Sequence, residues 1–95
     1  MYGTVMRYQL KTGMEEAMKS LFAEFEANPP EGFVSSTVYR LDSGQDEYMI
    51  AAVHSDREAY VANAQSEAQN AWFQRFREML TRDVTWDDGE IVEVP

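Results

Sequence analysis

Residues 33–54, "FVSSTVYRLDSGQDEYMIAAVH", constrain the fold more than any other stretch of the chain. Two runs rich in β-branched and aromatic residues flank the polar segment "DSGQDE". A connection this short leaves room only for an antiparallel hairpin, and Gly44 is available for a positive φ in its turn. The second run, "YMIAAVH", is almost continuously apolar, which predicts a central strand covered on both faces.

Both flanks supply a helix and a further strand. Upstream, "YGTVMRYQL" alternates, with Met6, Tyr8 and Leu10 on one side and Val5, Arg7 and Gln9 on the other. "TGME" then reads as a capping box from Thr12 to Glu15. Met14, Ala17, Met18, Leu21, Phe22 and Phe25 follow at helical spacing until Pro29 and Pro30 end the run. Downstream, "SDRE" and "SEAQ" are two more capping boxes, starting at Ser55 and Ser66. Two helix starts so close together predict a helix broken near Asn63 to Ser66. Its second piece carries Ala68, Trp72, Phe76, Met79 and Leu80 on one stripe. "DVTW" and "EIVEV" read as a last strand or pair of strands around the turn signal "DDG".

The order β-α-β-β-α-β is the ferredoxin-like arrangement of the α+β class, an antiparallel sheet with helices on one face. The chain of 95 residues is expected to be a single domain spanning 1–95. Its other sheet face is expected to carry Val5, Val34 and Val38, with Arg7, Ser36 and Arg40 interleaved. An apolar sheet face on so short a chain predicts a homodimer packed sheet to sheet, a dimeric α/β barrel. Arg7 would then serve as an ion-pair partner across the interface, and the trailing "EIVEVP" could pair with the partner's edge strand.

Charge narrows the ligand. The formal net charge is −9, which repels phosphate backbones and anionic membranes, so neither nucleic acid nor a membrane is an expected partner. A small apolar or aromatic ligand meets no such penalty. The chain contains no cysteine, so thiolate metal sites are ruled out, and the composition fits a reducing cytoplasm. The alternating start lacks the apolar core of an export signal.

On "RYQLKTGMEEAMKSLF", "EGFVSSTVYRLD", "DREAYVANAQSEAQNAWFQRFREML" and "VTWDDGEIVEV", the chain resembles the antibiotic-biosynthesis-monooxygenase-type domains of the dimeric α/β barrel superfamily, over nearly its full length. The resemblance is one of pattern. It implies cofactor-independent oxidation of a polycyclic phenol or quinol lying between the sheet and the helices. The family also holds haem-degrading enzymes, whose strand-one asparagine, helix tryptophan and later histidine would fall here at Met6, Trp72 and Arg82. Two of the three differ, which argues against haem. The histidine that many members carry at the helix break would fall at Asn63. The position of His54 often holds a bulky aromatic in the family.

His54 is the only histidine. It stands at the end of the third strand, sharing a side with Tyr48, Ile50 and Ala52. It reads either as a strand-end imidazole hydrogen-bonded to the cap of the next helix or as an acid/base in a pocket. A metal site is disfavoured because no second histidine exists. In the enzymatic reading His54 or Asn63 orients a substrate oxygen and Trp72 packs on its ring. Tyr8, Phe22, Phe25, Tyr60 and Phe73 would line an aromatic pocket, and the hydroxyls of Tyr8 and Tyr39 could polarise a phenolic oxygen. Core packing is the competing account of the aromatic stripe, and Trp86 reads as an anchor of the tail. No cofactor fingerprint, phosphate loop or nucleophile–base pair occurs, so no cofactor is expected. The readings kept in view are a cofactor-free monooxygenase, a binding module without chemistry, and a structural dimer.

Overall fold

The computed structural model describes residues 1–94. In chain order its elements are β1 (Tyr2–Gln9), α1 (Glu15–Ala27), β2 (Phe33–Arg40), β3 (Glu47–His54), α2 (Arg57–Ala64), α3 (Glu67–Arg77) and β4 (Asp87–Glu90). The strands form one antiparallel sheet in the order β2-β3-β1-β4. This is the ferredoxin-like arrangement expected from the sequence, with β3 inside the sheet and the second helix divided in two.

Alternation settles the faces of β1. Thr4, Met6, Tyr8 and, beyond the strand, Leu10 are buried, while Val5 and Arg7 are exposed. Pairing of β1 with β3 sets Met6 beside Ile50 and Tyr8 beside Tyr48. Met18 and Leu21 of α1, Phe76 of α3 and Leu80 close over these residues as the core. The break between α2 and α3 is held by Asn63, whose carbonyl accepts from the backbone N–H of Ser66 at 3.0 Å and from its hydroxyl at 2.8 Å. The Ser66 oxygen in turn accepts from the N–H of Gln69, the cap read from "SEAQ".

The structure differs from the sequence reading at five places. The Thr12–Glu15 box does not form: Gly13 takes a φ of 84° and the helix starts two residues later, with Met14 as its N-cap. Glu15 instead accepts from Arg40 and Tyr48. The cap of α2 is Asp56, whose carboxylate accepts from the N–H of Ala59 at 2.8 Å, and not Ser55. Ser55 is held by its own N–H, donated to the carbonyl of Gly32 at 2.7 Å. Gly32 must be glycine, because its φ is 85° and a Cβ there would stand 2.4 Å from that of Ala59. In the hairpin turn the positive φ falls at Asp46, not at Gly44. "DDGE" is itself the last strand, pairing with β1 from Asp87 opposite Val5 to Glu90 opposite Tyr2. "DVTW" therefore leads into it as loop, and Pro95 of the trailing segment lies outside the described residues.

The fifth difference concerns the open face. Ser36, Val38 and Arg40 pair with Ala52, Ile50 and Tyr48, so they share the helix-covered side. The open side carries Val5 and Arg7 of β1, Thr37 and Tyr39 of β2, and Met49, Ala51 and Val53 of β3. Val34 lies within a register irregularity between Phe33 and Ser35 and is exposed. Arg7 finds partners within its own chain, donating to Ser43 at 2.9 Å and standing 3.6 Å from Glu47.

Candidate functional site

The helix-covered face is not filled evenly. Between it and the helices lies a cavity of about 300 Å³. Thr4, Ser36, Ile50, Ala52 and His54 form its floor. Phe22, Phe25 and Glu26 of α1 form one wall, Tyr60 and Asn63 of α2 a second, and Trp72 and Phe73 of α3 a third. Its size and apolar walls suit a small aromatic molecule.

Trp72 joins the packed core to the cavity. Its indole N–H donates to the carbonyl of Leu21 at 3.1 Å, which ties α3 to α1. With that donor used, its ring offers only π surface. The ring lies between 5.5 and 5.6 Å from those of Phe22, Phe25 and Phe76. Trp86 also lines the cavity and packs against Phe73.

His54 is the unusual group here. It is 3% exposed, and neither ring nitrogen has a hydrogen-bond partner among the described residues. The cap of α2 does not reach it, contrary to the reading of a capped strand-end imidazole. The rings of Phe33 and Tyr60 meet it edge to face at 5.6 and 5.2 Å. Desolvation among these rings holds its pKa below the ordinary value. The neutral ring therefore carries one free donor and one free acceptor, both shielded within the cavity floor.

Tyr60 and Thr4 are organised by β4. Both donate to the same oxygen of Asp88, at 2.8 and 2.6 Å. Burial is the main cause that pushes the Tyr60 phenol up to about 12, so it stays protonated and neutral.

Of the residues named from sequence, His54, Asn63, Trp72, Phe22, Tyr60 and Phe73 are brought together around this cavity. Tyr8 and Tyr39 are not. Tyr8 lies in the packed core, its hydroxyl donating to the sulfur of Met18 at 2.9 Å and its ring stacked on Tyr48. Burial raises that phenol well above its usual range. Tyr39 pairs with Met49 on the opposite face of the sheet and is 52% exposed. Thr4, Glu26, Phe33 and Ser36 line the cavity without having been named for it. Thr4 shares the parity of Met6 and Tyr8, a signal open to the sequence. Ser36 was assigned to the other face. Among the described residues no group of three or more His, Cys, Asp or Glu side chains could hold a metal ion, and no helix is long and apolar enough to cross a membrane.

A ferredoxin-like sheet with an aromatic cavity under its helices places the protein in the α+β class. The family described as antibiotic biosynthesis monooxygenase matches residues 1–75, and the chain belongs to it. Three solved structures share the fold. SnoaB, a cofactor-independent oxygenase from Streptomyces nogalater, solved as a mutant, has a TM-score of 0.81 at 20% identity, with 98% of this chain and 94% of that one covered. A conserved protein from Methanosarcina mazei has a TM-score of 0.78 at 16% identity, covering 93% and 89%. Rv0793 from Mycobacterium tuberculosis has a TM-score of 0.76 at 17% identity, covering 98% and 96%. No curated protein sequence matches the chain.

Proposed function

We propose that the protein is a cofactor-independent monooxygenase acting on a small phenolic or quinol-type aromatic. The observation that carries this is His54, a buried neutral imidazole without a partner, on the floor of an aromatic cavity. Burying such a ring unpaired costs free energy that a structural role does not repay. A phenolic O–H supplies the missing partner.

The chemistry balances without a further group. The phenol passes its proton to His54. The para carbon of the phenolate, which bears hydrogen, reduces and combines with O₂, and the peroxide formed takes the proton back from the imidazolium. Loss of the remaining C–H proton breaks the O–O bond, leaving a quinone carbonyl on the ring and one water. Trp72 and Phe22 hold the rings flat, and the apolar walls keep water away from the peroxide. Asn63 offers an amide to a substrate oxygen but cannot act as a base near neutral pH.

Oxygen uptake with 1-naphthol and naphthoquinols tests this reading. Wild-type protein should consume one O₂ per quinone formed, and His54→Gln, which hydrogen-bonds but cannot carry the proton, should lose at least about tenfold in rate. Full activity in the Gln variant would end the role given to His54. Binding of the same compounds without oxygen uptake would favour a module that only sequesters its ligand.

The same reading includes a homodimer through the open sheet face, where Val5 and Tyr39 are exposed beside Met49, Ala51 and Val53. Sedimentation should give about twice the chain mass of 10.9 kDa. A monomer at micromolar concentration would remove the barrel.

A further inference from the structure

We infer that the cavity selects two-ring aromatics that arrive uncharged and carry a hydrogen-bond donor at each end, one for His54 and one for Glu26. The inference shares the His54 end with the function proposed above and adds the far end.

Its first support is the charge of the lining. No Lys or Arg is among the residues that line the cavity; the only charged side chain there is Glu26. Behind the floor stands another negative charge, the Asp88 carboxylate under Thr4 and Tyr60. The nearby Arg75 is bound by Glu24 in a two-pronged pair, at 3.0 and 2.7 Å. Nothing in the cavity can therefore neutralise a ligand carboxylate or sulfonate, and desolvating one beside Glu26 adds repulsion to the cost. A phenol that has already lost its proton to water is excluded for the same reason. A neutral phenol that gives its proton to His54 keeps the pair of ligand and ring uncharged overall.

The second support is the condition of Glu26. Among the described residues no cation pairs with it, and its one hydrogen bond is from the Ser36 hydroxyl at 3.5 Å, the outer limit for such a bond. Ser36 stands opposite Ala52, two residues from His54 and one strand over. Strand spacings put the Cα positions of Ser36 and His54 about 8 Å apart, so Glu26 and His54 meet different ends of a ligand. The walls between these ends are aromatic. The cavity thus presents an acceptor on the imidazole, a stacking surface along Trp72 and Phe22, and an anionic acceptor at the rim.

Trp72 and Trp86, the only two tryptophans of the chain, both line the cavity, so their fluorescence reports occupancy directly. Anaerobic titrations with 1,5-dihydroxynaphthalene, 1-naphthol and 5-hydroxy-1-naphthoate make the test. The diol should bind about tenfold tighter than 1-naphthol, and the acid about tenfold weaker. In Glu26→Lys, a change at an exposed rim position that leaves the fold intact, the order should invert, the acid binding tightest. Equal affinity of the acid and the diol for wild-type protein, an unchanged order in Glu26→Lys, or no quenching by any of the three would each overturn the inference. The expected order without oxygen uptake would sink only the oxygenase reading. Oxygen uptake with no discrimination would sink only this one.

Discussion

Tyr8 faces Tyr48 across β1 and β3 at one end of the sheet, and four residues along the same pair of strands Thr4 faces Ala52. Both pairs look toward the helices. At the first end two phenol rings, Phe76, Leu80 and Met18 fill the space, and each hydroxyl is satisfied, Tyr8 by the Met18 sulfur and Tyr48 by Glu15. At the second end the small side chains leave a cavity of about 300 Å³, and the polar group that closes the strand, His54, is unsatisfied. One sheet thus supports a packed half and a hollow half, and the difference lies in side-chain volume at four strand positions. The packed core lies in the first half, and on the function proposed above recognition belongs to the second.

The contrast can be broken from either end. Phe76→Ala removes a fully buried ring from the packed half. It should cost roughly 3–5 kcal/mol in urea denaturation; a loss under about 1 kcal/mol would mean that this half is not the stabilising one. Ala52→Leu works in the opposite sense by filling the hollow half. It should change stability by less than about 1.5 kcal/mol while weakening quenching by naphthols by at least about tenfold. Unchanged ligand binding would place the ligand elsewhere. The smallest effect expected is a slope with pH. The pKa of His54 is held below its ordinary value of 6.5, so the unfolded chain takes up its proton first. Stability should therefore fall as pH drops below 6.5, and His54→Gln should lose that slope. Equal slopes in both proteins would show that His54 is not desolvated.

Much of this division was open to the sequence and some was not. The first strand declares its faces, because Thr4, Met6, Tyr8 and Leu10 alternate with Val5 and Arg7. The helix break at Asn63 to Ser66 was legible because a cap residue leaves a local chemical signature. The faces of β2 were not, because Ser36, Val38 and Arg40 are as mixed in polarity as Ser35, Thr37 and Tyr39. Pairing with β3 decides, and that is a tertiary fact. The cap expected at Thr12 failed for a similar reason. Arg40 and Tyr48, distant in sequence, draw the Glu15 carboxylate to themselves and hold its pKa down at about 2. The aromatic residues of the cavity could be named but not sorted, since Tyr8 and Trp72 both sit on apolar faces. What separates them is the size of their neighbours across the strands.

The broken second helix has a consequence for how the cavity exchanges its contents. Helix α2 supplies Tyr60 and Asn63 to the wall, yet none of its eight residues is fully buried. It is held to the rest of the protein by the Tyr60–Asp88 bond, by the Tyr60 ring packed on Tyr2 and His54, and by the turn at Ser66. A segment tied by so few contacts opens at a free energy well below that of global unfolding, while Phe76 and the strands stay closed. Brief detachment of α2, hinged at Asn63 to Ser66, is expected to widen the opening that the cavity already has at the Glu26 rim. A ligand bound as proposed above should tie α2 down in turn, so occupancy should be felt first as slower amide exchange in this helix and only afterwards as a higher melting temperature.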